Sequence, residues 1–307
     1  MKVLLIGTNP IGYYLLKFLK GEHEIWLLVE EKWATKLSKE GALIIKERME
    51  EREIPIDLAT YSLYEFSGER VDLIIMSEFA YMMKNRFSDI SELDIQTNSL
   101  IIASNALGVE EELPRELLKK TNLMRCITNS VVIWDEIGKI RIPYRENLFI
   151  GFINKQSFNN SDVLKGMISN EIILSKKILE DLWRIAVIQS AIYYPTAILN
   201  LSLDMVLKDK HLREIIDNLL IEGERVARSS GLRVRGLIGE VIKMAPRLPR
   251  ILSPINSLWA MRIPSEVDYF NGFICRKGAE RGIQAFVNWT IWKLVKIIEE
   301  KRKIQST

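Results

Sequence analysis

Cysteine and histidine are scarce in this chain of 307 residues, with two of each: Cys126, Cys275, His23 and His211. Two histidines and two distant thiols cannot assemble a zinc site, so no metal is expected. Each cysteine lies among apolar residues, which points to buried, reduced thiols and a cytoplasmic setting. An excess of one charge is missing too. The 43 Lys and Arg residues nearly balance the 40 Asp and Glu residues, and a formal +3 gives no argument for nucleic acid. No apolar run reaches the roughly 20 residues of a spanning helix, so no membrane partner is expected. The N-terminus carries no signal-peptide pattern. Internal repeats and low-complexity linkers are also absent. What remains is an ordinary globular composition, 48% hydrophobic and 27% charged, in a chain long enough for two domains.

The first dozen residues carry the strongest local pattern. Val3-Leu4-Leu5-Ile6 reads as a buried strand. Gly7-Thr8-Asn9-Pro10-Ile11-Gly12 reads as a tight turn opening a helix, whose apolar positions are Ile11, Tyr14, Leu15, Phe18 and Leu19. A second strand over 23–29 ends at Glu30. Strand, glycine turn, helix, strand and terminal acid form the layout of a dinucleotide-binding βαβ unit. A helix N-terminus offers unpaired N–H groups and a positive dipole end to a pyrophosphate. A carboxylate at the end of the second strand accepts hydrogen bonds from ribose hydroxyls. Asn9 holds the middle glycine position. Asn tolerates a left-handed backbone, but its side chain crowds the phosphate. The same layout also serves as a crossover that binds nothing.

Further on, a helix over 32–39 ends near Gly41, and short strands are expected at 42–45 and around 54–56. The charged run 47–53 reads as a solvated turn between them. Continuous apolar strands at 72–76 and 99–104 flank a helix or long turn over 80–87, as in a mostly parallel sheet. Ligands of such a sheet bind beyond the strands' carboxyl ends, where Ser77-Glu78-Phe79 and Ser104-Asn105 fall. A hairpin is expected from 127–133 and 139–142, with another strand at 147–153. Asn159-Asn160-Ser161-Asp162 offers an N-cap for a helix over 163–168. Beyond residue 175 the pattern is helical throughout. The segments are 179–200 with Pro195 as its kink or stop, 212–230, 234–244, 266–281 and 285–302. The expected division is a nucleotide-binding domain over 1–173 and a helical domain over 174–307.

The C-terminal half carries an ordered series: Ser257-Leu258-Trp259, then Pro264-Ser265-Glu266-Val267-Asp268-Tyr269-Phe270-Asn271-Gly272, then Gly278, Gly282-Ile283 and Val287-Asn288. With Ser104-Asn105-Ala106-Leu107-Gly108 and the stretch from Glu222 to Gly231, it resembles the ketopantoate reductase (2-dehydropantoate 2-reductase) family over nearly the whole chain. The resemblance implies an α/β Rossmann-type N-terminal domain and an all-α C-terminal domain of the 6-phosphogluconate-dehydrogenase-like type. It also implies reduction of a 2-keto acid by NADP or NAD in its reduced form, and a homodimer. On this resemblance the cofactor-binding positions are Gly7, Thr8, Asn9, Pro10, Ile11, Gly12, Glu30 and Asn105. Asn105 and Glu266 take catalytic positions, and Ser257 takes the substrate carboxylate. Read singly, each has a plainer role: Asn105 as a turn residue, Ser257 as a turn cap, and Glu266 as an acid favoured by a helix start.

Five departures from the family pattern stand out. The family lysine falls on Ile185 counting from Trp183, or on Ala186 counting back from Pro195, and neither is ionisable. Two family asparagines fall on Ser190 and Tyr194. Arg184, Ser190 and Tyr194 are then the weak substitutes, with Ser190 and Tyr194 also candidate substrate contacts. A guanidinium is a poor proton donor. Glu30 replaces the basic residue that meets the 2′-phosphate of NADP, which favours NADH. Phe79 replaces a lysine, and the acid a few residues after Ser257 is absent near Met261. Two readings follow, a reductase of a 2-keto acid and a non-catalytic homologue with a binding or regulatory role.

Overall fold

The computed structural model describes residues 1–19, 21–114, 121–153, 164, 167, 169–206 and 208–304. Its strands in chain order are β1 (Lys2–Ile6), β2 (Glu24–Leu28), β3 (Ala42–Glu47), β4 (Glu50–Pro55), β5 (Leu58–Thr60), β6 (Arg70–Val71) and β7 (Leu73–Met76). β8 (Gln96–Thr97), β9 (Ser99–Ala103), β10 (Asn122–Thr128), β11 (Val131–Glu136), β12 (Lys139–Tyr144), β13 (Leu148–Phe152) and β14 (Ile172–Leu174) follow. The helices are α1 (Pro10–Leu16), α2 (Glu31–Glu40), α3 (Ala80–Glu92), α4 (Ile178–Ile198), α5 (Lys210–Ser229), α6 (Leu237–Met244), α7 (Pro254–Ala260), α8 (Asn271–Glu280) and α9 (Phe286–Lys301). They gather into two compact units. One comprises 1–105 and 109–178, and the other comprises 106–108 and 179–307.

The first unit is built on an eight-stranded sheet in the order β14-β13-β10-β9-β7-β1-β2-β5. Its central strands are short, apolar and covered on both faces, so β7 and β9 are buried at every residue. β1 pairs in parallel with β2 on one side and β7 on the other. The chain thus runs outward from β1 to β2 and β5, then returns to β7, β9 and β10. That reversal places the start of α1 at the topological switch point of a doubly wound sheet. β13 runs antiparallel to β10 near one edge.

The expected hairpin differs from the observed one. Residues 127–133 are not one strand, because the chain turns at Asn129-Ser130. There the Ser130 N–H donates to Thr128 Oγ1 at 3.0 Å, a local turn that stops the ladder. β10 stays in the main sheet, while β11 and β12 form a second sheet with β3 and β4. The charged run 47–53 is not all turn either, since Glu50 opens β4. The charges suit it, because β4 is an edge strand and charged edges resist pairing with other chains. The helix expected over 163–168 and its cap at 159–162 lie outside the described residues, apart from Leu164 and Met167.

The second unit is helical throughout. α4 runs through Pro195 to Ile198 and is apolar on nearly every side. Glu222 of α5 caps α9 by accepting from the N–H groups of Val287 and Asn288 at 3.0 and 2.9 Å. The Asn288 side chain donates to Glu222 at 2.8 Å and accepts from Asn271 of α8 at 2.9 Å. Three helices are thereby joined by one buried polar network. The helix expected from Glu266 starts later: 267–269 form a single 3-10 turn, and α8 begins at Asn271. Leu107 donates its N–H to Tyr269 O at 2.9 Å, which ties residues 106–108 to this unit. Cys126 is buried and Cys275 half-buried, both as free thiols. Among the described residues, no helix is long and apolar enough to cross a membrane.

Candidate functional site

In the first unit the end of β7 presses directly on the glycine turn. Gly7 has φ +97°, and a Cβ there would lie 2.6 Å from Glu78 Cα. A Cβ on Gly12 would lie 2.1 Å from Ser77 Oγ. Both glycines are therefore required by close approach. Ser77 then ties the turn together. Its hydroxyl donates to Asn9 O at 2.6 Å and accepts from the Gly12 N–H at 2.9 Å. Its carbonyl accepts from the Asn9 N–H at 2.6 Å.

Asn9 is not left-handed. It sits at φ −69° and ψ 127° as the N-cap of α1, and its Oδ1 accepts from the Ile11 N–H at 3.1 Å. An N-cap needs this extended backbone so that its side chain reaches the first turn. Pro10, at the first helical position, has no N–H. The first-turn donors are thus engaged within the protein, and Asn9 Oδ1 takes an acceptor place that an open turn offers to a phosphate oxygen. From the second sheet, Trp134 donates its indole N–H to Thr8 O at 2.8 Å and packs edge-on against Tyr13 and Trp33. The Tyr13 hydroxyl donates to Gly7 O at 2.9 Å. Sequence patterning missed Trp134 in this role, since nothing local links β11 to the turn.

Glu30, expected at the end of the second strand, lies two residues beyond β2 as the exposed N-cap residue of α2, with no cap bond from its side chain. Glu78 is buried, accepting from the Phe79 N–H at 3.1 Å and from Arg86 Nε at 3.4 Å. Burial pushes the Glu78 carboxyl above its ordinary range. Arg86 pulls it down, and the Glu30 carboxylate adds a smaller upward push. Asn105 is buried at the end of β9. Its amide donates to Thr128 O at 2.7 Å, and its carbonyl accepts from the Thr128 N–H at 3.0 Å. It therefore fastens the ends of β9 and β10 together.

In the second unit Ala186, Ser190 and Tyr194 recur every fourth residue on α4 and share one face. Ile185 and Ala186 are both 0% exposed. Ser190 is 1% exposed, and its hydroxyl has no hydrogen-bond partner among the described residues. Burial pushes the Tyr194 phenol well above its usual range, and the carboxylates of Glu266, Glu299 and Asp268 push the same way. Tyr194 is accordingly a neutral, buried hydroxyl whose ring packs on Phe270 at a centroid distance of 5.9 Å. Arg184 is engaged elsewhere, 2.8 Å from Glu240 and 3.8 Å from Asp181. Ser257 lies half-buried inside α7 rather than in a turn.

Glu299 of α9, which sequence patterning also missed, fixes the segment before Glu266. Its Oε1 accepts from the Ser265 N–H at 2.6 Å and from the Trp259 indole at 2.9 Å. Asp268, beyond Glu266, accepts from the Trp292 indole at 2.7 Å and pairs with Lys296 at 3.0 Å. Both flanks of Glu266 are thus anchored to α9.

A doubly wound α/β unit followed by a helical unit defines a two-domain dinucleotide-fold class. Within it, the chain belongs to the ketopantoate reductase PanE/ApbA family. The family's N-terminal model matches residues 3–155 and its C-terminal model residues 177–299. The 2-dehydropantoate 2-reductase of Pyrococcus horikoshii is 22% identical over 312 residues, covering 97% of this chain and 98% of its own. The crystal structure of a PanE/ApbA family ketopantoate reductase from Ralstonia eutropha superposes with a TM-score of 0.82 at 19% identity, covering 99% of this chain and 100% of that one. D-mandelate dehydrogenase with NADH and anilino(oxo)acetate gives 0.81 at 18% identity, with the same coverage.

Glu299→Ala leaves a buried indole N–H and a buried backbone N–H without their acceptor. The expected loss is on the order of 3 kcal/mol, read as a lowered denaturant midpoint, and Glu299→Gln is expected to lose less. Equal stability of Glu299→Ala and the parent chain would refute the anchoring role.

Proposed function

We propose that the chain is an NADH-preferring oxidoreductase that reduces a 2-keto acid, with Tyr194 in the place of the family lysine as proton donor. The position of Tyr194 carries this reading: it is buried on the face of α4 shared with Ala186 and Ser190, and it packs on Phe270, four residues after Glu266. It supports the register counted back from Pro195, in which the lysine position is Ala186. A bound nicotinamide supplies the hydride. The developing alkoxide is a stronger base than a phenolate, so a neutral tyrosine hydroxyl can stabilise it and give up its proton. Ser257 then holds the substrate carboxylate, and Ser190 offers a second hydroxyl on the Tyr194 face.

The residues of the first unit fit a dinucleotide once the Asn9 side chain turns aside. Gly7, Thr8 and Ile11 line the turn for the pyrophosphate, and the Glu30 carboxylate suits ribose hydroxyls. Glu30, with Glu78 behind it, repels a 2′-phosphate, which is the basis for preferring NADH. Asn105, committed to Thr128, acts on this reading by fixing strand ends. A cytoplasmic homodimer belongs to the same reading. Its support is the exposed apolar face of α9, formed by Phe286, Trp289, Leu294 and Ile297.

A second reading, a homologue that binds without reducing, is favoured by one observation: both candidate lysine positions are fully buried aliphatic residues. Kinetics separate the two. With 2-dehydropantoate or an aryl 2-keto acid, NADH absorbance is expected to fall with time. Tyr194→Phe is expected to lower kcat about 100-fold with unchanged NADH affinity. A flat trace with intact NADH binding supports the second reading instead. Glu30→Arg is expected to move the NADH-to-NADPH affinity ratio about tenfold toward NADPH, and an unchanged ratio removes Glu30 from the cofactor assignment. Asn9→Gly frees the Ile11 N–H at little cost to the cap. NADH affinity, read by fluorescence titration, is expected to rise about fivefold, the equivalent of about 1 kcal/mol. Unchanged or weaker binding would show that Asn9 does not compete with the pyrophosphate.

A further inference from the structure

The second unit carries an open surface pocket of about 530 Å³ whose lining includes four arginines, Arg225, Arg228, Arg233 and Arg235, together with Leu232 and Ile283. The first two stand one turn apart at the C-terminal end of α5, and the other two lie on the segment leading to α6. Val234 is buried between Arg233 and Arg235, which are exposed. None of the residues assigned above to catalysis or substrate binding lines this pocket. It meets Ile283, beyond the C-terminal end of α8, whereas Glu266 precedes the helix start. The ten residues of α8 span about 15 Å.

Charge sets this pocket apart. The chain as a whole is nearly neutral, yet no carboxylate lines these walls. None of the four guanidinium groups has an ion-pair or side-chain hydrogen-bond partner among the described residues. The acids on the same stretch of α5 face other groups. Glu222 accepts from the Val287 and Asn288 N–H groups, and Glu224 accepts from the Leu237 N–H at 2.6 Å. A cation at a helix C-terminus offsets the dipole there, which accounts for one arginine such as Arg228. It does not account for four around one pocket, where like charges oppose folding. Arginine is also the side chain whose planar donor fork matches phosphate oxygens two at a time.

We propose that this pocket binds a small molecule bearing at least two phosphoryl groups. Four guanidinium forks exceed what one phosphate can engage. The apolar surface of Leu232 and Ile283 offers contact for a flat or aliphatic remainder. A volume of this size lies within the ordinary range for small-molecule sites, and the grouping of all four arginines within residues 225–235 suits a compact polyanion better than the extended backbone of a nucleic acid. The assignment is independent of the reductase reading.

The test is calorimetric titration of the full chain with tripolyphosphate, ADP and orthophosphate at low ionic strength, with a short duplex DNA as a fourth arm. Tripolyphosphate and ADP are expected to bind, both more tightly than orthophosphate. Arg233→Gln/Arg235→Gln is expected to weaken tripolyphosphate about 100-fold, roughly tenfold per guanidinium. Arg225→Gln/Arg228→Gln should act in the same direction. These side chains are exposed, and an unchanged thermal midpoint in either pair verifies the fold. Because tripolyphosphate carries no nucleoside and the readout is binding, the result does not depend on catalysis. Tripolyphosphate binding that is absent, or that survives both pairs of substitutions, overturns the proposal. Duplex binding without tripolyphosphate binding also overturns it, in favour of a nucleic-acid surface.

Discussion

The contact of the β7 carboxyl end with the turn after β1 governs the first unit. Ser77 makes three hydrogen bonds there, two through its hydroxyl and one through its carbonyl. The contact leaves no room for a side chain at Gly7 or Gly12. It also sets where α1 begins, and so where its dipole points. The cost of that packing falls on the backbone donors. Asn9 and Ser77 satisfy the groups that an open glycine turn leaves to a ligand. Stability of the apo turn and affinity for pyrophosphate are therefore in competition, and Asn9 is the residue through which they compete.

The second unit solves a related problem with acids. Glu299 holds the backbone before Glu266, Asp268 is anchored after it, and Glu222 caps the helix that carries Glu299. Three buried or half-buried carboxylates near Tyr194 would destabilise the fold if left unpaired. Glu299 and Asp268 are instead spent on fixed N–H donors. The outcome is a segment around Glu266 that is held on both flanks by α9. Ile185 and Ala186, the two positions the family's lysine could hold on α4, are both fully buried and aliphatic, and the hydroxyls of Ser190 and Tyr194 continue the Ala186 face.

Much of the first unit was legible in the chain. The apolar runs, the glycine turn and Glu30 are local features, and their order implies a parallel sheet. The hairpin at 127–144 was misplaced at one end, because a turn closed by Thr128 and Ser130 leaves no break in hydrophobic pattern. The charged strand β4 was read as turn because charge density marks exposure, and an edge strand is exposed too. Trp134 and Glu299 carried no signal, since each acts on residues more than thirty positions away in the chain.

Sequence by itself determined the order of elements, the helical second half and membership of the family. These depend on local periodicity and on identity at single positions. Tertiary structure decided the rest. It turned Asn9 from a supposed left-handed residue into a cap, committed Asn105 to Thr128, and packed Tyr194 on Phe270. It also gathered four arginines around one pocket in a nearly neutral chain. Each of these depends on which distant backbone groups and charges lie within a few ångströms, a property of packing that no single stretch of the chain encodes.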